Sequence, residues 1–385
     1  MLIAKFVPWP PNSGEKRRTL AVARAFLALG TVTIAAFESE YEDAAPLRAE
    51  GFDVRTVPLR RTALKTARGL LRTRSITASR FWDRDLAGLV SEVARADSID
   101  VTVVEHVQLR TLASAESSSV RVIDMHNVES LLAKRMSETR RGLWRWIYGL
   151  EARALRRLER RVSDVDLVAV VSEADRVALA QHGGAVEVVV VPNAWDATTP
   201  LPAVESPVVS FVALLSWAPN VDAVKWFCGR VWPCVIDAIP GAKLQLVGRD
   251  PHPDVRALAS DSIVVTGTVD SLAPWYERTA VTVAPLLAGG GSRLKILESL
   301  SYGRPVVATT VGAEGLEDLV GRGVILADEP GMMASEIVAL LNDPARAQRL
   351  GTSGAQAVEQ DHSWSAAVAP LIAAVKSATS ERLDR

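Results

Sequence analysis

In the stretch GGGSRLKILESLSYG, residues 289–303, three glycines lead directly into a helical pattern whose first turn carries Arg293 and Lys295. Cations at a helix N-terminus oppose the helix dipole, at a cost of about 0.3–1 kcal/mol each. A bound anion reverses the sign, because the free N–H groups, the dipole and both side chains then favour it. Ser292 is a suitable N-cap, and Gly290 and Gly291 let the backbone approach a phosphate closely. Glu298 lies six residues past Ser292, about 9 Å along the helix axis. From there its carboxylate can accept from the hydroxyls of a ribose whose phosphates sit at the helix start. Two plainer readings stay open: a salt-screened surface helix, and a Lys295–Glu298 surface pair at i, i+3.

A second loop has the same character. In PWPPNSGEKRR, residues 8–18, Gly14 permits close backbone approach, and Lys16, Arg17 and Arg18 crowd the first turn of the next helix. The loop lacks the G-x-G-x-x-G spacing of a dinucleotide fold, which argues against a nicotinamide enzyme. Residues 289–295 are not a phosphate-binding Walker loop either, since Lys295 lies too far past the glycines and no Ser or Thr comes after it. His126, in DMHN, ends an apolar run at 121–125 and is a candidate for the reaction centre; Asn127 is a candidate cap for the next helix. His106, in VVEHVQ, also ends an apolar run and is a candidate for the acceptor side.

These residues need a scaffold that gathers strand ends and helix starts, and the chain predicts one. Short β-branched runs fall at 2–7, 31–37, 53–59, 101–105, 121–125, 167–172 and 186–192, mostly separated by helical patterns such as Glu15–Leu29, closed by Gly30. They are continuous apolar runs more than alternating ones, as parallel strands covered on both faces require. A Pro-, Thr- and Ala-rich stretch without periodicity comes next, and the alternation then restarts at 208–214, 243–248, 262–269, 281–286, 305–310 and 323–328. The expected class is α/β, with two Rossmann-like domains facing across a cleft and ligands beyond the carboxyl ends of the strands. The expected divisions are an N-terminal domain at 1–192, a linker at 193–207, a C-terminal domain at 208–360 and a helical tail at 361–385. That tail is expected to cross back to the N-terminal domain and to be helical apart from Pro370.

A chain of 385 residues with 48% hydrophobic and 23% charged residues suffices for two such domains. Cys228 and Cys234 have no metal-ligand spacing and read as reduced core thiols of a cytoplasmic protein. The start MLIAKFVPWPP lacks the features of a signal peptide, and no apolar run reaches the ~18 residues of a membrane span. The net charge of −1 hides two basic segments. Residues 54–82 carry eight cations and no acid, and residues 140–162 mix eight arginines with Trp144, Trp146 and Tyr148. The second segment admits two readings: peripheral contact with an anionic membrane at its inner face, or a helix with a solvated arginine face and its aromatics in the core. The near-neutral pI and the absence of a recognition module argue against nucleic acid.

Residues 289–317, with 214–227 and 265–286, resemble the C-terminal domain of a glycosyltransferase family 4 (group 1) enzyme. Residues 10–26 and 124–130 resemble its N-terminal domain. The resemblance implies the GT-B fold and a retaining, metal-independent hexosyltransferase of polysaccharide or glycolipid biosynthesis. Its donor would be a nucleotide sugar such as a UDP-, GDP- or dTDP-sugar, bound as substrate with no separate cofactor, and its acceptor a glycan or a lipid-linked molecule. By position, Glu298 resembles the ribose-binding second glutamate of the family's E-x7-E motif. Val269 matches the segment whose backbone meets the base, Gly14 the glycine facing the phosphates, and His126 the histidine beside the donor sugar. The first glutamate of E-x7-E falls at Gly290, and the Arg and Lys that the family places after the first C-domain strand are missing. Arg293 and Lys295 are expected to take over their duty on the diphosphate. A sugar-nucleotide epimerase of the same fold and a catalytically lapsed nucleotide-sugar-binding protein are the alternatives.

Overall fold

The computed structural model describes all residues except 40–41, 61, 113–119, 182, 184–185, 197, 289–292 and 384–385. Gly290, Gly291 and Ser292 therefore lie outside the described residues. Two units emerge, one holding Met1–Asn193 and the C-terminal stretch from Trp364, the other running from Ala194 to Ser363.

The first unit begins with β1 (Leu2–Phe6), α1 (Gly14–Leu27), β2 (Thr33–Glu38), α2 (Ala45–Ala49) and β3 (Asp53–Pro58). It continues with α3 (Ala63–Thr73), α4 (Ile76–Ser79), α5 (Arg84–Ala96), β4 (Val101–Glu105) and β5 (Val120–Asp124). Then come α6 (Glu129–Thr139), α7 (Leu143–Glu159), β6 (Leu167–Val170), α8 (Glu173–Ala180) and β7 (Glu187–Val190). The strands pair in parallel in the order β3-β2-β1-β4-β5-β6-β7. Successive residues face opposite layers, as the strand period demands. Leu2, Ala4, Ile34 and Val122 join one apolar cluster, while Ile3, Ala35, Phe37 and Ile123 join the other.

The second unit contains β8 (Val208–Val212), α9 (Ala218–Arg230), α10 (Trp232–Ala238), β9 (Lys243–Val247), α11 (Pro253–Arg256) and β10 (Ile263–Val265). After these come α12 (Ala273–Arg278), β11 (Val281–Ala284), α13 (Leu294–Ser301), β12 (Val306–Ala308), α14 (Thr310–Ala313) and β13 (Val324–Leu326). It closes with α15 (Pro330–Asn342) and α16 (Pro344–Asp361), and α17 (Trp364–Leu383) returns to the first unit. Its parallel sheet has the order β10-β9-β8-β11-β12-β13. In both sheets the order reverses beside the first strand, so the switch points are β1/β4 and β8/β11, where an open α/β sheet leaves its crevice.

Several local expectations change. Helix α1 ends at Leu27 with Ala28 as its cap in an ordinary helical conformation, and Gly30 is not among the positive-φ glycines that would make a left-handed stop. Pro370 lies inside α17, which continues through it and buries Val368, Leu371 and Val375 at i, i+3, i+7 in the core beside α1. The aperiodic stretch before β8 is seated by long-range hydrogen bonds: Thr198 Oγ1 donates to Ser301 O, Leu201 N to Tyr302 O, and Arg304 Nη1 to Pro202 O. Cys234 is exposed rather than in the core, whereas partial burial pushes the Cys228 thiol up to about 12. No helix among the described residues is long and apolar enough to cross a membrane.

Candidate functional site

The carboxyl edge of the first sheet gathers charge at its switch point. Ser13 caps α1 by accepting from Lys16 N at 3.3 Å, which makes Gly14 the first helical residue, with its N–H among the unsatisfied donors of that turn. The cations next to it are not left for a ligand. Lys16 Nζ bonds Glu42 Oε1 at 2.9 Å. Arg18, 1% exposed, bonds both oxygens of Asp124 through Nε and donates from Nη1 to Val191 O at 2.8 Å. This corrects the expectation that these cations await a ligand: Arg18 ties α1 to the ends of β5 and β7.

Asp124 ends β5, Glu105 ends β4, and both are fully buried. Between them sits His126, 7% exposed, with Nε2 2.5 Å from Glu105 Oε2 and 3.6 Å from Asp124 Oδ2. Burial opposes a charge on this ring, but Glu105 and Asp124 outweigh it and raise its pKa to about 9. The Glu105 carboxyl is itself pushed up by burial, and also by the charge of Asp124. The His126–Glu105 pair therefore keeps its proton at neutral pH. Thr19 Oγ1 also donates to Glu105 Oε2, at 3.1 Å.

His106 stacks on His126 with ring centroids 3.9 Å apart, and its Nε2 lies 2.9 Å from Glu15 Oε1. Burial, then the charges of His126 and Lys5, lower its pKa to about 3, so this ring is neutral. Its backbone sits at φ 65°, a left-handed conformation that side chains other than glycine adopt at a cost of about 1–3 kcal/mol. The bond from His106 N to Asp124 O, 2.8 Å, holds it there. Glu105, His106 and His126 bring ligand-capable atoms within 4.8 Å of one another. A cation seated there would have to displace the His126 proton from a pair whose charge is already balanced.

The second sheet's switch point is built differently. Helix α13 starts at Leu294, with Arg293 at the cap position and Lys295 one residue inside. Arg293 is 3% exposed and spends its guanidinium on Val311 O (2.8 Å) and Glu314 Oε2 (3.1 Å). It ties the start of α13 to α14, which corrects the expectation of two cations available to a ligand. Lys295 turns the other way. Its Nζ donates to Asn220 Oδ1 at 2.7 Å and lies 4.9 Å from the centroid of the Phe211 ring, with no carboxylate partner among the described residues. Burial, then the neighbouring Arg293 charge, draw its pKa down to about 7. Asn220 comes after β8 and Lys295 after β11, so the contact spans the switch point.

Glu298, 9% exposed, lies on α13 below Lys295, and burial, then its charge, raise the pKa of Tyr276. The expected alternative of an exposed Lys295–Glu298 pair does not hold, since Lys295 is bonded to Asn220. Val269 is partly buried against Val212, Val247 and Tyr276. Two glycines allow the strand ends to crowd: a Cβ on Gly248 would stand 1.7 Å from Ala213 O, and one on Gly312 2.1 Å from Ala284 O. Asn220, Phe211, Glu105 and Asp124 were not singled out from the sequence. The acids had a legible signal, a carboxylate ending an apolar strand run; Asn220 and Phe211 had none.

Residues 206–343 match the family model described as glycosyl transferases group 1. A protein of Klebsiella pneumoniae described as an uncharacterized 44.6 kDa protein in the cps region is 25% identical over 139 residues, 34% of this chain. That alignment spans 36% of the relative, about a third of its length. Among solved structures, sucrose-phosphate synthase from Thermosynechococcus elongatus superposes with a TM-score of 0.70 at 16% identity, covering 99% of this chain and 100% of that one. HepE of Anabaena in complex with UDP and glucose gives 0.66 at 18% identity, covering 98% of each. At such identities the likeness shows the fold: two parallel α/β units of the GT-B kind.

Proposed function

We propose that this protein is a glycosyltransferase that moves a hexose-type sugar from a nucleotide-sugar donor to a glycan or lipid-linked acceptor, with retention and without a metal. The observation that carries the reading is Lys295. A partly buried amine beside a helix start, held by an amide oxygen and an aromatic face, has no counter-charge among the described residues, and a diphosphate would supply one. The match of residues 206–343 to group 1 glycosyl transferases and the UDP and glucose bound by HepE support the same chemistry.

In this reading Lys295, Gly290, Gly291 and the amides opening α13 hold the diphosphate, while Arg293 ties the helix start to α14. Glu298 accepts from the ribose hydroxyls and the backbone at Val269 meets the base. On the first unit, Gly14 offers its amide to phosphate and His126 hydrogen-bonds the transferred sugar. A ring that already holds its proton at neutral pH cannot take one from an acceptor hydroxyl. The departing phosphate then accepts that proton, and the protein contributes by positioning and by stabilising the leaving charge.

A thermal-shift screen of UDP-, GDP-, dTDP- and ADP-sugars tests donor binding, since a ligand of the native state stabilises it by mass action. The expected outcome is one base series that raises Tm in the wild type and not in Lys295→Ala, together with EDTA-insensitive sugar release or transfer. Conversion of the donor to its epimer would replace the transferase reading with an isomerase. Binding without turnover would leave a lapsed enzyme, and no shift with any donor would refute the assignment.

A further inference from the structure

The basic segments of the first unit remain unused by the proposed chemistry, and both lie on helices with exposed apolar residues, packed through α4. On α7, Leu143, Trp146 and Leu150 recur at i, i+3, i+7 and so lie on one stripe; they are 73%, 71% and 61% exposed. Arg153 and Arg157 continue that stripe and are exposed. The buried side of the helix is Glu151, Ala154, Leu155, Leu158 and Glu159. The aromatics are thus not in the core, which removes the plainer of the two readings of this segment.

The only acids of α7, Glu151 and Glu159, are consumed internally. Glu151 accepts from Ser75 Oγ at 2.6 Å, Ile76 N at 2.8 Å and Thr77 N at 3.0 Å, while Glu159 accepts from the amide and hydroxyl of Ser130. The exposed face of α7 therefore carries positive charge alone.

Helix α3 repeats the pattern. Leu64 and Leu71, at i, i+7, are 59% and 83% exposed beside Arg68 and Arg72, and the helix contains no acid. Short α4 joins the two. Gly69 of α3 packs so closely on it that a Cβ would stand 2.5 Å from Ser79 O, and the Glu151 bonds fasten its N-terminus to α7. Exposed Ile76 sits at that junction, just after α3 in sequence and bonded to the neighbour of Leu150.

We propose that α3, α4 and α7 form a docking surface for an anionic lipid bilayer. Leu71, Ile76, Trp146 and Leu150 enter the headgroup–acyl boundary, and Arg68, Arg72, Arg153 and Arg157 meet the anionic headgroups. Charge complementarity selects this occupant. A second copy of the chain would press like charge on like charge, and a nucleic acid would satisfy the arginines but leave the leucines in water. The proposal stands apart from the sugar-transfer reading.

The test is co-sedimentation of the full chain with vesicles of phosphatidylcholine alone or with about a third phosphatidylglycerol. The expected result is at least about tenfold stronger binding to the anionic vesicles, weakening as salt rises. The Leu71→Ser/Trp146→Ser/Leu150→Ser and Arg153→Glu/Arg157→Glu variants should each lose about tenfold or more, with unchanged far-UV CD, Tm and nucleotide-sugar thermal shift. No pelleting at low salt, equal binding to neutral vesicles, or variants that bind like the wild type would overturn the proposal. So would a wild-type dimer by light scattering that the same substitutions dissolve.

Discussion

The two sheets share a topology, yet the charges at their switch points are treated in opposite ways. Beside β1 and β4, Arg18 is closed on Asp124 and His126 on Glu105, each with further bonds into the backbone or a hydroxyl. Beside β8 and β11, Lys295 has an amide and a ring for company. A buried charge without its opposite is costly, so the first edge balances its charges internally, while at the second Lys295 has no carboxylate partner among the described residues. Sequence position does not distinguish them, since both edges place cations in the first turn of a helix.

The comparison can be broken most severely at Asp124. Asp124→Asn leaves Arg18 buried without its carboxylate and should cost about 3–5 kcal/mol by urea denaturation. A loss below about 1 kcal/mol would mean that the first edge is not a closed pair. At the second edge the prediction inverts. Lys295→Met should leave stability unchanged or raise it, because an acid-less charge is removed, while lowering kcat/KM for the nucleotide sugar by about 100-fold or more. Loss of stability together with unchanged kinetics would show Lys295 to be structural.

Arg293→Ala sharpens the contrast within three residues of chain. Losing the bonds to Val311 and Glu314 should cost about 1–3 kcal/mol in unfolding experiments, with a smaller change in donor KM than Lys295→Met. The reverse ranking would return Arg293 to the diphosphate.

The two edges should also answer oppositely to pH. The Lys295 pKa falls to about 7 from an ordinary 10.5, so between those values the unfolded state binds the extra proton and stability rises with pH. Donor binding that restores the charge takes up a proton above pH 7 and weakens by up to about tenfold per pH unit. Titration calorimetry in buffers of different ionisation enthalpy measures this, and no proton uptake at pH 8 would refute it. His126 is raised from 6.5 to about 9, so its contribution is full below 6.5 and lost as pH rises through 9. Stability curves of Lys295→Met against wild type separate the two trends.

Much of the architecture was legible locally. Every strand of both sheets falls within or beside an apolar run read from the chain, as from 281–286 to β11 and from 101–105 to β4, because parallel strands buried on both faces leave an uninterrupted signature. Element ends were less so: α1 stops before the glycine that looked like its terminator, and α17 tolerates Pro370. The exposed stripe of α7 was visible as composition, but its exposure was not, since the same 3.6-residue period serves a buried and an exposed apolar face.

What the sequence determined by itself was the repeated strand–helix alternation, the glycine-led loops, and which residue types stand at strand ends and helix starts, because these arise from local periodicity and backbone sterics. Only the tertiary structure decided what each charge meets. Arg18 finds Asp124 across 106 positions and Lys295 finds Asn220 across 75. Such pairings depend on strand order and on which loops close over one another, and a cation's neighbours in sequence carry no record of its neighbours in space.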